Sequence, residues 1–144
     1  MKQPTFYFTA VLAIFLSLAA LGIRAAVDMP ATLMSRGDYQ LAKRAIEAGT
    51  RLTIASCRTV QGGEREICKA EARAGERVRL AELQARYHGT VAALEDARLA
   101  RVRAAYDVAR ARCTVHQAGA RVACLREARE GKTRALAEAV PAST

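Results

Sequence analysis

The chain has 144 residues, a length typical of one domain, and it carries a formal net charge of +9. Hydrophobic residues make up 51% of it, but there is no tryptophan and only 5% is aromatic. Much of the hydrophobic fraction is alanine, whereas large side chains supply most of the burial energy at roughly 1.5–3 kcal/mol each, so we expect a core that forms but is thin.

The first 26 residues have the layout of a secretory signal. A basic residue, Lys2, precedes an apolar run from Phe6 to Ile23 that contains no acidic residue. Small residues suited to cleavage follow, and we expect this segment to be removed. The apolar run has 18 residues, which is the lower limit for crossing a bilayer, so an uncleaved anchor in the inner membrane is the alternative. The sequence therefore predicts an exported protein of the periplasm, with a helical-repeat domain over 27–144.

The rest of the chain is rich in alanine, arginine, glutamate and leucine, which favour helix. Apolar residues recur at helical spacing in two stretches, Ile67, Ala70, Ala74, Val78 and Ala81, and Leu99, Val102, Tyr106 and Ala109. Ser35 and Asp38 resemble the start of a capping box, and Thr90 can cap a later helix. Glycines interrupt the pattern where turns are needed. We predict helices near 36–59, 64–86, 91–116 and 120–139.

An internal duplication with an offset of 56 residues runs through this helical part. The aligned identities are Cys57, Gln61, Gly63, Arg65, Cys68, Glu71, Ala72, Arg73, Gly75, Leu80, Ala81 and Glu82 with Cys113, Gln117, Gly119, Arg121, Cys124, Glu127, Ala128, Arg129, Gly131, Leu136, Ala137 and Glu138. Repeats of this kind correspond to supersecondary units. The predicted fold class is all-α: two duplicated antiparallel helical hairpins, over about 36–87 and 91–139, after the N-terminal signal or anchor helix.

The four cysteines predict two disulfides, because an exported chain meets an oxidising compartment. Eleven residues on an unbroken helix would bring both cysteines of a repeat to one face and allow bridges between repeats, Cys57 to Cys124 and Cys68 to Cys113. Glycines in mid-helix argue against that arrangement, since they destabilise a helix by about 1 kcal/mol each. A turn at the glycines instead places the cysteines symmetrically about its apex. We therefore favour Cys57–Cys68 and Cys113–Cys124, each bridge closing one hairpin.

The cysteine frames, together with the stretches "ICKAEA" and "YDVA", resemble a group of small exported proteobacterial proteins. These are alanine-rich helical-repeat proteins with a twice-repeated Cys-x10-Cys frame, sometimes loosely labelled TolA-like cell-envelope proteins. The resemblance covers about Ser35 to Ala139. This chain departs from the group at its turns and in having arginine where the group has lysine. The resemblance implies the fold and export; the group has no assigned activity.

Two histidines are the candidate metal ligands. His116 lies three residues after Cys113, a spacing at which both side chains could bind one zinc ion. The first repeat has Val60 at the position equivalent to His116, and we expect the thiols to be oxidised. His88 is expected in an exposed loop at a helix end. No Cys-x-x-Cys motif and no Ser/His/Asp context is present, so the sequence predicts no enzyme, no catalytic residue and no cofactor.

Charged residues and two glycines inside predicted helices supply the remaining candidates. Lys69, Arg73 and Arg77 share one helical face and form a possible basic binding surface. The alternative is that these side chains only face solvent and bind no ligand. The expected surface ion pairs are Glu47 with Arg51, Glu82 with Arg86, and Glu130 with Arg134. Gly75 and Gly131 are expected to permit close helix–helix packing, with a functional hinge as the alternative.

The sequence thus predicts a non-enzymatic exported cell-envelope protein, a structural or protein-binding helical module. Its partner would be an unknown envelope protein or an anionic envelope surface, which basic residues attract. Nucleic acid is not expected as a partner, because the protein is expected to be exported and no aromatic residues are interleaved with its basic residues. The alternatives are a periplasmic stress or holdase-type chaperone, which would expose small apolar strips to clients, and a metal-responsive binding module using His116 and His88.

Overall fold

A computed structural model describes residues 34–139 of the protein. The predicted signal or anchor over 1–26 lies outside the described residues. The described residues form four helices, α1 (Arg36–Ser56), α2 (Gly62–His88), α3 (Val91–Arg112) and α4 (Ala118–Ala139), with short 3₁₀ turns at Cys57–Thr59 and Cys113–Val115. The described residues contain no strand. The predicted all-α class and the two antiparallel hairpins are confirmed.

The helix boundaries follow from local chemistry. The Ser35 hydroxyl accepts a hydrogen bond from the Asp38 backbone N–H at 3.1 Å, and the Thr90 hydroxyl accepts one from Ala93 at 3.2 Å. These side chains cap the first turns of α1 and α3 as the sequence predicted, because they satisfy N–H groups that have no partner inside the helix. Gly89 ends α2 in the left-handed conformation at φ 62°, and its N–H bonds to the carbonyl of Ala85.

The four helices form an open array rather than a closed bundle. Each helix packs closely only against its neighbours in sequence, so α2 and α3 are flanked on two sides while α1 and α4 lie at the edges. Within residues 34–139 no close backbone contact joins α1 to α4. The array therefore leaves one outer face of each edge helix, and a surface along α3, without a helix packed on it.

The core is thin, as the composition indicated. The largest fully buried side chains are Leu83, Thr50, Cys57 and Cys113. The remaining buried apolar residues are Ile67, Ala72, Ala74, Ala85, Ala97 and Ala104. Buried Thr50 is satisfied, because its hydroxyl donates to the carbonyl of Ile46 at 3.0 Å. Helix α4 has no buried residue at all, so its attachment depends on half-buried contacts and on its disulfide.

The turns do not have the symmetry that the sequence suggested. Helix α1 ends in a 3₁₀ turn that begins at Cys57, and α2 begins at Gly62, so the reversal falls at 57–61 instead of centring on the glycines. The same shift occurs at 113–117 in the second repeat. The tight 3₁₀ turn reverses the chain within a few residues, which leaves the second cysteine of each pair two helical turns into the next helix.

Candidate functional site

The two disulfides join the helices of each hairpin. Cys57 is bonded to Cys68 and Cys113 to Cys124, with a Cα–Cα distance of 5.7 Å in both cases. This distance is ordinary for a disulfide. The within-hairpin pairing is therefore the one observed, and the bridges between repeats that the sequence left open are not formed.

Both disulfide-closed turns lie side by side at one end of the array. Val60, Ile67 and Cys68 from the first turn and α2 line a shallow pocket together with Val115 and His116 from the second. Gly63 permits this approach, since a Cβ built there would lie 2.6 Å from Cγ1 of Val115. The equivalent Gly119 has open space around it. Gly63 thus allows the turn of the second repeat to pack closely on the first repeat, a role that the sequence alone did not indicate.

A groove of about 420 Å³ runs between α3 and α4. Its walls carry mostly small apolar groups, and its end reaches the second disulfide. The apolar lining residues are Val102, Ala105, Tyr106, Ala109, Ala128, Gly131 and Ala135. Lys132 lies over the Tyr106 ring with its Nζ 4.6 Å from the centroid, a cation–π distance that fixes the ring against α4.

A second groove, between α2 and α3, continues the first across α3. It adds the apolar residues Ala74, Val78, Ala104 and Val108, and it shares Ala105, Ala109 and Arg112 with the groove between α3 and α4. We call the combined surface the α3 trough. Val78, Val102, Tyr106 and Ala109 belong to the apolar residues whose helical spacing indicated helices. The structure places them, partly exposed, in the wall of an open trough, because none of the helices within residues 34–139 packs over this side of α3.

Gly75 and Gly131 line the trough at equivalent positions of the two repeats. The prediction that they permit close helix–helix packing is wrong. A Cβ at Gly75 would meet no atom within 4 Å, and one at Gly131 would meet only the Arg134 guanidinium at 4.0 Å. Their effect is to keep the trough wider and its walls free of side chains.

The rim of the α3 trough is predominantly basic. Five basic residues, Arg79, Arg101, Arg112, Lys132 and Arg134, line it against two acidic ones, Glu71 and Glu127. Arg112 pairs with Glu71 at 2.8 Å and Arg101 with Glu82 at 2.7 Å, and both pairs join α2 to α3. The rim keeps an excess of positive charge after these pairs are counted.

The three surface ion pairs predicted from helical spacing are wrong in their partners. Glu47 pairs with Lys43, Glu130 pairs with Arg126, and Glu82 pairs across the helix interface with Arg101. Spacing within one helix cannot identify a partner on a neighbouring helix, and it offers several bases for each carboxylate in an arginine-rich chain.

The predicted basic surface of Lys69, Arg73 and Arg77 lies on α2, but two of its members have acidic neighbours. Lys69 donates to Glu66 at 2.8 Å, and Arg77 bonds to Asp107 of α3 at 2.6 Å. The Lys69 hydrogen bond, followed by its charge, lowers the pKa of the Glu66 carboxyl below its ordinary value. The positive field on this face is therefore weaker than the sequence suggested.

The histidines lie at opposite ends of α2. His116 lines the pocket at the disulfide end beside Glu64, whereas His88 is the last residue of α2 and stacks at its edge on Tyr87. At 1.5 Å per residue, the 24 residues from Glu64 to His88 span about 36 Å, so one ion cannot bind both. Among residues 34–139, no group of three or more potential ligands lies together, and all four cysteines are in disulfides.

Comparison with known protein families, curated proteins and solved structures finds no match to the chain. In the part of the chain that the structure describes, no helix is both long and apolar enough to cross a membrane. The site must therefore be interpreted from its own chemistry.

Proposed function

We propose that this protein is a non-enzymatic, exported module of the cell envelope that binds a segment of a partner protein in the α3 trough. The partner segment would present apolar side chains to the trough and acidic side chains to its basic rim. The observation that carries this proposal is the trough itself, an open apolar surface that crosses two repeats and is edged by five basic residues and two acidic ones.

The chemistry of the trough supports binding rather than catalysis. Its floor consists of alanine, valine and glycine atoms together with the Tyr106 ring and the second disulfide, and its charged groups are guanidinium, ammonium and carboxylate groups on the rim. Nucleophilic and general-base catalysis need an activated group held against a base, and the lining residues offer no such pair. A concave apolar surface with a polar rim is instead the arrangement that an amphipathic helix or extended segment fits.

The two disulfides indicate an oxidising compartment, since thiols stay reduced in the cytosol. Periplasmic location is the finer proposal, supported by the signal-like segment at 1–26 and by the resemblance to exported helical-repeat proteins. The Cys113–Cys124 bridge joins α3 to α4, two of the trough walls, without a large core, which suits a binding surface outside the cell interior.

A photo-crosslinking experiment in the native host tests the proposal. A benzophenone amino acid is placed at Ala109 in the trough and, as a matched control, at Ala137 on the outer side of α4. We expect a defined adduct with a second protein from position 109 and none from position 137. The adduct should disappear in Ala105→Glu, because Ala105 is exposed and central to both grooves, and should persist in Ala137→Glu.

Two results would overturn the proposed site: an absence of adduct at position 109, or an adduct that Ala105→Glu leaves unchanged. An adduct made of two copies of this chain would also contradict it, because the proposed occupant is a different protein.

A holdase-type chaperone is the second candidate, and the openness of the trough favours it, because small apolar strips can retain unfolded chains. A holdase would slow the aggregation of several unrelated denatured proteins at equal mass, and Ala105→Glu would weaken that protection. Protection of none, or protection equal in both variants, would eliminate this candidate while leaving the specific partner testable by crosslinking.

A further inference from the structure

Helix α1 carries an exposed apolar seam on the side turned away from α2. Leu41, Ala45, Ala48 and Leu52 recur at spacings of four, three and four residues, which places them on one helical face. Leu41 is 70% exposed and Leu52 is 73% exposed. These two accessible leucines lie at the two ends of the seam, with Ala45 and Ala48 between them, and the seam has no partner in the described part of the chain.

The duplication shows what this face does in the other repeat. With the offset of 56 residues, the α1 seam corresponds to Ala97, Arg101, Ala104 and Val108 of α3. Ala97 and Ala104 are only 4% and 5% exposed, and Arg101 pairs with Glu82 of α2. In the second repeat this face of α3 packs against α2. The equivalent face of α1, in the first repeat, is exposed.

The sequence differences make the uncovered face more apolar than the covered one. Leucine at 41 and 52 stands where α3 has Ala97 and Val108, and Ala45 stands where α3 has Arg101. Repeat proteins usually end in units with polar outer faces, because the last interface has no partner. The outer face of helix α1 is apolar instead, and this favours a binding partner that covers it.

A head-to-tail stack of chains would place α4 of one copy on α1 of the next, as α2 lies on α3. Helix α4 does not offer the required surface. Ala74, which is 4% exposed in α2, corresponds to Glu130, and Val78 corresponds to Arg134. Charged side chains at these positions would be buried against the leucines without partners, which is strongly unfavourable.

We propose that the α1 seam is a homodimer interface in which α1 of one copy packs antiparallel against α1 of a second copy. The spacing of the seam reads the same in both directions, so a two-fold axis brings Leu41 of one copy beside Leu52 of the other, with Ala45 and Ala48 at the crossing. Small residues at the crossing let the two backbones approach closely, and a two-fold interface must be self-complementary in this way. The seam is narrow, so the dimer is at the weak end of specific interfaces, below about 1,200 Å².

This inference does not rest on the proposed function, because α1 lies on the far side of α2 from the α3 trough. Sedimentation equilibrium measures dimerisation directly, on the protein purified from its host with both disulfides intact. We expect a concentration-dependent doubling of mass for the natural sequence. Leu41→Glu with Leu52→Glu should abolish the doubling, and Ala45→Arg, which places the α3 residue at the crossing, should weaken it at least tenfold.

The matched control is Val91→Glu with Val122→Glu, which makes the same charge change at side chains 72% and 67% exposed outside the seam. The control should dimerise like the natural sequence, and unchanged helical circular dichroism should accompany all variants because the substituted positions are exposed. A chain that stays monomeric at every concentration, a dimer that survives both seam variants, or open-ended higher assemblies would each overturn the proposal.

Discussion

At the scale of single residues, the duplication has kept a backbone conformation but not always the residue suited to it. Gly62 and Ala118 occupy the same position, at the start of the second helix of each hairpin, and both have positive φ, 59° and 45°. Glycine adopts such values freely, whereas the Cβ of alanine meets the following carbonyl oxygen at a cost of roughly 1–2 kcal/mol. Ala118 is therefore a strained site in the second turn.

Substitution at these two positions should have opposite effects on stability. Ala118→Gly is expected to raise the free energy of unfolding by about 1 kcal/mol, because it relieves the backbone strain. Gly62→Ala should lower it by a similar amount, since its new Cβ meets no atom within 4 Å and only the backbone conformation resists it. Urea unfolding followed by circular dichroism measures both changes. Gly119→Ala is the control: it has an ordinary φ and open space, so it should leave the protein as stable as the natural sequence or more stable. A Gly62→Ala protein as stable as the natural one would show that the positive φ at this position does not disfavour alanine.

The Glu66 carboxyl provides a pH-dependent prediction. Its pKa is lowered, first by the hydrogen bond from Lys69 and then by the Lys69 charge. A carboxyl whose pKa is lower in the folded state stabilises the fold above its unfolded pKa, and this contribution is lost as the pH falls through the folded pKa. In Lys69→Gln the Glu66 pKa should rise towards its ordinary value, as measured by NMR titration of the side chain.

Arg73→Gln is the control for that titration, because Arg73 acts on Glu66 only through a more distant charge. It should move the Glu66 pKa upward by less than Lys69→Gln does. Equal shifts in the two variants would show that the hydrogen bond is not the main cause.

At the scale of helices, the sequence correctly predicted that four helices form and in what order they follow one another. The caps at Ser35 and Thr90, the helical periodicity and the glycine breaks are local signals, and all four helices form close to the predicted limits. The within-hairpin disulfides were also predicted, although the turns lie closer to Cys57 and Cys113 than the symmetry argument assumed. Local chemistry suffices for these features because each depends on residues within a dozen positions.

Features that depend on which helices are neighbours could not be predicted in the same way. Helix α2 is buried on two faces, so Ala72, Leu83 and Ala85 are buried beside the expected stripe of Ile67 and Ala74. Glu82 finds its partner on α3, and the α3 stripe becomes the wall of an open trough. One amphipathic pattern does not state how many sides of a helix are covered, and the openness of the array is a property of the whole chain.

The trough glycines give a prediction at this scale. Gly75→Ala and Gly131→Ala should each raise the free energy of unfolding by up to about 1 kcal/mol, because alanine favours helix and the new Cβ has space. Gly49→Ala in α1 should stabilise similarly, since its surroundings are also open. Thermal melts compare the three. If the trough binds a partner, only the substitutions at 75 and 131 should reduce the crosslinked adduct from position 109.

A loss of stability in Gly75→Ala would indicate close packing after all. An adduct equally strong in all three variants would show that the glycines do not shape the binding surface.

At the scale of the whole molecule, the open array makes the disulfides unequal in importance. A bridge that closes a loop of this length stabilises by about 3 kcal/mol or slightly less through loop-closure entropy, which is a large part of the 5–15 kcal/mol typical of a domain. Helix α1 has further attachments, including buried Thr50 and the contact of Tyr39 with Tyr87 at 4.6 Å between ring centroids. Helix α4 has no buried residue; side chains such as Leu125 and Leu136 are half-buried, and Lys132 lies over the Tyr106 ring of α3.

Removing the disulfides one at a time should therefore affect the two edge helices differently. In Cys113→Ala with Cys124→Ala, hydrogen exchange should become fast throughout α4 while α2 and α3 stay protected, because α4 has no buried residue to hold it once the bridge is removed. In Cys57→Ala with Cys68→Ala, α1 should keep more of its protection, although the melting temperature falls. The comparison uses mass-spectrometric exchange on both variants at equal oxidation of the remaining bridge. Equal loss of protection in α1 and α4, or loss throughout the chain in either variant, would show that the array unfolds as one unit and that its edges are not attached independently.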